Sequence, residues 1–288
     1  MMRVSLSKGD TILELDPWAG GSVSALKHRD LDVLRPAPER IGPAFDALRY
    51  AAFPMVPFVG RILDGQFEHN GAKVQLHANM PPEPHAIHGH GWQDCWKVIS
   101  STKTSATLRY AHTSDAWPWD YVAEQVFKVL DNGIDLTLSV TNHGSTPMPA
   151  GLGWHPYFER EEAILRVKTI GSWKDQEEPA LASNCVVHQR ENLSHGRVVD
   201  SLNLDKSFRV GSNTMEFSWP THSVSIKSDP IFKGTTIYVP PGEDFFCAEP
   251  ITHVPNAINS ELSPEETGLH FVEPGKSLSG KIKLRIEH

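Results

Sequence analysis

The sequence predicts an all-β chain: one domain over residues 1–288, built as a large antiparallel β-sandwich. Three observations carry this. Apolar and polar residues alternate strictly through Gly133-Ile134-Asp135-Leu136-Thr137-Leu138-Ser139-Val140-Thr141, as a half-buried strand requires. Turn residues such as Asp131-Asn132-Gly133 and Asn142-His143-Gly144 punctuate the runs. No segment holds a long apolar period of 3.6 residues.

In chain order, strands are expected at Thr11 to Leu15, Thr107 to Ala111, Tyr121 to Val129, 133–141, Ile164 to Lys168 and Thr235 to Val239. The C-terminal Lys281-Ile282-Lys283-Leu284-Arg285-Ile286-Glu287 repeats the alternation. It reads as an exposed edge strand able to pair with a second chain, which leaves the oligomeric state open. The 22 prolines and 21 glycines are spread evenly, with no linker, repeat or low-complexity stretch.

Composition narrows the function classes. A formal charge of −8 argues against a nucleic acid or an anionic membrane as partner. No run of 18 apolar residues occurs, and the first ten residues lack the apolar core of a secretory signal. Cys95, Cys185 and Cys247 are far apart and without CxxC spacing, so they read as unpaired thiols of a reducing compartment. A cytoplasmic enzyme is the expectation.

Four clusters carry chemistry. In Gly153-Trp154-His155-Pro156-Tyr157-Phe158, the proline biases His155 toward extended backbone and holds one imidazole between aromatic residues. That suits proton transfer, with a buried core histidine as the alternative. Around Pro57–Phe67, Arg61 offers a planar donor fork in an apolar, glycine-bracketed segment; its alternative is an ion pair with Asp64 or another acid. His88 and His90 with Asp94, near His85, approximate the HxHxxxD metal motif of cupins, but more than 50 residues separate it from His155 and aspartate replaces glutamate, so no metal is assigned. In Phe245-Phe246-Cys247-Ala248-Glu249-Pro250, burial is expected to raise the Glu249 carboxyl toward the range of a useful base, with a structural salt bridge as the alternative.

The order and wording of these clusters resemble the aldose 1-epimerases of the galactose mutarotase superfamily. The likeness runs through Gly20-Gly21-Ser22-Val23, Gly60-Arg61-Ile62, His88-Gly89 with Gly91-Trp92 and Trp96, Thr141-Asn142, Pro147-Met148-Pro149, His155-Pro156-Tyr157-Phe158 and Cys247-Ala248-Glu249-Pro250. It is thinnest from Glu159 to Lys233, where only Leu204-Asp205-Lys206-Ser207-Phe208 matches. Gly60 and His90 depart from the usual residues of the family.

The resemblance implies a galactose mutarotase-like supersandwich with a sugar in an open cleft. It implies interconversion of the α and β anomers of a free aldose without cofactor. Glu249 would be the base at the C1 hydroxyl, His155 the acid at the ring oxygen, and His88 a donor assisting it. Arg61 and Asp205 would hold hydroxyls, and Trp92, Trp154 or Tyr157 would stack on the ring. The scheme needs Glu249 ionised and His155 protonated, against the pull of burial on the imidazole. A hexose-6-phosphate substrate, a non-catalytic carbohydrate-binding protein, and a glycoside-cleaving enzyme using Glu249 with Asp205 are the alternatives.

Overall fold

The computed structural model describes residues 3–38, 46–173 and 192–287; Cys185 lies outside them. Seventeen strands among these residues join one hydrogen-bonded sheet. Its main path runs antiparallel from Lys97–Ser101 through Ser105–His112, Tyr121–Leu130, Gly133–Asn142 and Ser277–Glu287 to Ser223–Ser228. It continues through Leu204–Ser218, Gly234–Val239, Phe245–Ile251, Gly153–Glu159, Ala52–Met55, Ser22–His28 and Thr11–Asp16 to Val4–Lys8. The Ser7 N–H donates to the Lys103 carbonyl at 2.7 Å, so the two ends of the path approach each other.

The alternating runs behave as their pattern requires. Ile134, Leu136, Leu138 and Val140 are buried, as are Leu278, Ile282, Leu284 and Ile286, and all belong to one core cluster with Leu6, Leu13 and Leu26. The curled sheet therefore closes over its own apolar face, as a sandwich does. The one α-helix among the described residues is a single turn, Pro264–Thr267, with Ser263 and Glu266 forming a capping box.

One sequence expectation needs correction. The C-terminal strand is not an edge: it pairs with Gly133–Asn142 on one side and Ser223–Ser228 on the other, so its ladder is occupied. The stretch where the family likeness is thinnest contains the 15-residue strand Leu204–Ser218, whose mixed burial hides its alternation. Cys95 is exposed and Cys247 buried, both as free thiols.

Candidate active site

Five neighbouring strands build the site by register alone. Gly153 lies opposite Ile251 and Tyr157 opposite Cys247, which sets His155 across from Glu249. On the far side of His155 lies Phe53; Glu249 faces Thr236, which faces Ser207. One row across the sheet is thus Phe53, His155, Glu249, Thr236, Ser207. The adjacent row is Tyr157, Cys247, Tyr238, Asp205. Because side chains alternate faces along a strand, both rows lie on the same face.

That face floors a cleft of about 190 Å3, whose lining includes Gly60, Arg61, His88, His155, Tyr157, Asp205, Thr236, Tyr238, Phe245 and Glu249. The same alternation turns Trp154, Phe158, Phe246 and Ala248 to the opposite face, into the main core. Trp154 is therefore no stacking platform: it is 1% exposed and away from the cleft.

At the floor, His155 Nε2 stands 3.3 Å from Glu249 Oε1. The imidazole packs on Phe53 (4.4 Å between centroids) and on Tyr157 (4.9 Å). Its Nδ1 is buried without a hydrogen-bond partner. Burial, deepened by the Arg35 charge, pushes the His155 ring well below its ordinary value. Burial first, and then the Asp205 charge, pushes Glu249 well above the usual carboxylate range, against the pull of Arg61. Both shifts favour the uncharged form of each group.

His88 approaches His155 edge to face at 5.5 Å between centroids. It sits in a left-handed turn with φ of 57°. Gly89 follows because a Cβ there would fall 2.1 Å from the Val56 carbonyl oxygen, against which the turn packs. That carbonyl accepts from the N–H groups of His90 and Gly91. The Gly60 N–H donates to His88 Nδ1 at 3.2 Å. Burial, with His155 and Arg61 adding smaller effects, holds the ring neutral. Its proton consequently resides on Nε2, leaving a donor.

Trp92 supports this turn instead of lining the cleft. Its indole N–H donates to the carbonyls of Ile87 and Gly89, and its ring stacks on Phe53 at 5.4 Å. Tyr157 does line the cleft, but its ring already contacts His155, Phe53, Phe245 and the Arg35 guanidinium, 4.1 Å from its centroid. Arg61 pairs with Glu83 through two hydrogen bonds, and its Nη1 lies 4.0 Å from Asp205. Asp64, the partner considered from sequence, lies instead beside His85. The histidines of the HxHxxxD pattern diverge. His88 faces the cleft, His90 stacks on His112 at 4.5 Å, and Asp94 accepts from the Tyr110 hydroxyl.

Several residues escaped sequence reading. Phe53 and Tyr238 enter only through strand register. Glu83 announced itself weakly, as an acid within Pro81-Pro82-Glu83-Pro84. His253, 4% exposed, accepts from the Val59 N–H at 3.1 Å and donates to the Val254 carbonyl at 2.7 Å, anchoring the segment that carries Gly60 and Arg61.

Comparison with known proteins identifies the family and the fold. The uncharacterized Escherichia coli K12 protein YphB is 28% identical over all of this chain and 99% of its own length. A second uncharacterized protein of that organism, YihR, is 25% identical over 77% of this chain and 74% of its own. A solved Escherichia coli K12 structure, put forward as an aldose 1-epimerase, superposes with a TM-score of 0.88 at 28% identity over 99% of both chains. A galactose mutarotase-like protein of Clostridium acetobutylicum shares the fold, with a TM-score of 0.89 at 20% identity over 99% of this chain and 94% of that one. The sequence profile of the aldose 1-epimerases matches residues 12–285, and with nearly the whole chain so covered, the protein belongs to the aldose 1-epimerase family.

Proposed function

We propose that this protein interconverts the α and β anomers of a free aldose by opening and reclosing the hemiacetal ring. The observation that carries the reading is the buried contact between His155 and Glu249 at the floor of the cleft. An acid and a base in reach of one small ring are what the reaction needs. The carboxylate of Glu249 removes the O1 proton, and the O1–H electrons form the C1 carbonyl. The C1–O5 bond breaks, and O5 takes the proton of the His155 imidazolium. Rotation about C1–C2 presents the other carbonyl face, and the reverse transfers close the ring.

Burial fits this cycle better than the separate shifts imply. Before opening, the pair is carboxylate and imidazolium; afterwards it is carboxylic acid and neutral imidazole. Both arrangements carry the same number of protons and no net charge, so the cleft never has to hold an isolated buried ion. Desolvation favours the second arrangement and the 3.3 Å attraction the first, so the two effects oppose each other. His88 Nε2–H supplies a further hydrogen bond toward the ring oxygen, and Arg61 and Asp205 receive sugar hydroxyls. His155, held against Glu249, has a role in this scheme that glycoside cleavage by Glu249 and Asp205 would leave unused.

Magnetisation exchange between the α and β anomeric proton signals tests the reading. The panel is glucose, galactose, xylose, arabinose and glucose 6-phosphate, each with wild type and Glu249→Gln. Accelerated exchange that falls about 10²–10⁴-fold in the variant is expected. No acceleration of any sugar, or acceleration indifferent to the substitution, rejects it.

A further inference from the structure

Arg61 is held on one edge and open on the other. Its backbone is fixed where Arg61–Ile62 pairs with Ala86–Ile87 and where the Asn256 N–H donates to the Arg61 carbonyl. Glu83 binds Nε at 3.3 Å through Oε2 and Nη2 at 3.1 Å through Oε1. The remaining N–H groups include both on Nη1, which stands 4.0 Å from Asp205 Oδ2, an ion-pair distance too long for a hydrogen bond.

The segment carrying Glu83 is itself fixed. The Asn79 side chain bonds the N–H and carbonyl of Ile87 and the carbonyl of Gly89, and its backbone carbonyl accepts from the Gln93 side chain at 2.7 Å. Prolines flank Glu83 on both sides, and the Glu83 N–H donates to the Met80 carbonyl.

We propose that Glu83 is a positioning residue that aims Arg61 Nη1 across a gap toward Asp205, so that the pair reads one substrate hydroxyl and disfavours an anionic substituent. The inference rests on the reading of the cleft as a sugar site and adds a determinant of which sugars it takes. A hydroxyl is the group that bridges such a pair from the cleft, since it accepts from Nη1 and donates to Asp205 at once. A carboxylate or a dianionic phosphate monoester has no proton to donate to Asp205, and it would meet an arginine whose Nε–Nη2 edge is already occupied by Glu83. With Glu83 and Asp205 both beside Arg61, the guanidinium is not an anion receptor. Glu83 remains ionised because its hydrogen bonds with Arg61 hold the carboxyl below its ordinary value.

The test compares wild type, Glu83→Gln and Glu83→Asp. Steady-state mutarotation of the best neutral sugar is measured with and without inorganic phosphate, alongside calorimetric titration of the same sugar. In Glu83→Gln, KM and the calorimetric Kd are expected to rise about tenfold or more, as for loss of a charge-assisted hydrogen bond. kcat is expected to stay within about threefold, and competitive inhibition by phosphate is expected to appear. Glu83→Asp should recover part of the affinity and restore indifference to phosphate. Unchanged KM and Kd, or a fall in kcat at constant KM, overturns the proposal while leaving the anomerase reading intact. A wild type that binds sugar without turning it over overturns the anomerase reading alone, and the calorimetric comparison then decides the role of Glu83. A wild type that neither binds nor converts any sugar overturns both.

Discussion

Replacing Gly151 by alanine should unfasten the site from beneath. An added Cβ would lie 1.9 Å from His253 Cδ2 and 2.2 Å from its Nε2, far inside contact distance. The ring has no free direction to move, because it is buried and tied through both nitrogens. Moving it leaves the Val59 N–H, in a residue only 1% exposed, without its acceptor. An orphaned buried donor costs about 1–3 kcal/mol, and the displaced ring adds a comparable packing loss, so about 2–4 kcal/mol is expected. In a chain of this size that lowers Tm by about 3–7 °C. Urea unfolding of wild type and Gly151→Ala measures it, with Gly71→Ala as control. A Cβ at Gly71 meets nothing within 4 Å, so only the strain of its positive φ remains, about 1 kcal/mol. Val59 precedes Gly60 and Arg61, so KM for the sugar should rise in the Gly151 variant as well. A destabilisation below about 0.5 kcal/mol, or one equal to the control, would refute this account of His253.

Three further expectations follow from the same geometry. His155→Asn should remove the limb of the kcat/KM pH profile assigned to the proton donor and cost about 10²–10⁴-fold; an unchanged profile defeats the assignment. Trp154→Phe should lower stability by about 1–3 kcal/mol yet leave KM within about twofold, since the indole faces the core and its N–H has no partner; a KM effect matching that of Glu83→Gln contradicts its placement. Burial, with His112 adding to it, pushes His90 down to about 4, so the folded state resists a proton that the unfolded chain accepts near 6.5. Its contribution is fully present above about pH 6.5 and is lost as pH falls toward 4, by about 2 kcal/mol between pH 7 and 5. Urea titrations at those two pH values should therefore show a smaller loss in His90→Asn than in wild type, and an equal loss speaks against it.

The His155 and Glu249 segments were legible because their chemistry is local. An imidazole fixed by proline and a carboxylate behind Phe-Phe-Cys-Ala declare burial and titratable type within six residues. Alternation from 133 to 141 and from 281 to 287 likewise declared strands, since a half-buried strand writes its period into the chain. The same rule places His155 and Tyr157 on one face and Trp154 on the other, so the misplaced tryptophan was readable in principle. What it lacked was the decision as to which face meets the core, and that depends on a second layer.

Pairing between distant segments was not legible. Glu249 meets His155, Asp205 joins the row of Tyr238, and the C-terminal strand lies inside the sheet because of register between segments far apart in sequence. Hydrogen bonding in a ladder is the same for every residue, so the chain carries little record of which strand a given strand will adjoin. Arg61 shows the consequence most clearly. Its residue type announced a fork for oxygens, but only the folded loop brought Glu83 and not Asp64 to one edge of it. By itself, the sequence determined the all-β class, the residue types of the proposed acid–base pair and the family; tertiary structure decided which side chains share a face and which partner each charge receives, because those depend on contacts that no local pattern encodes.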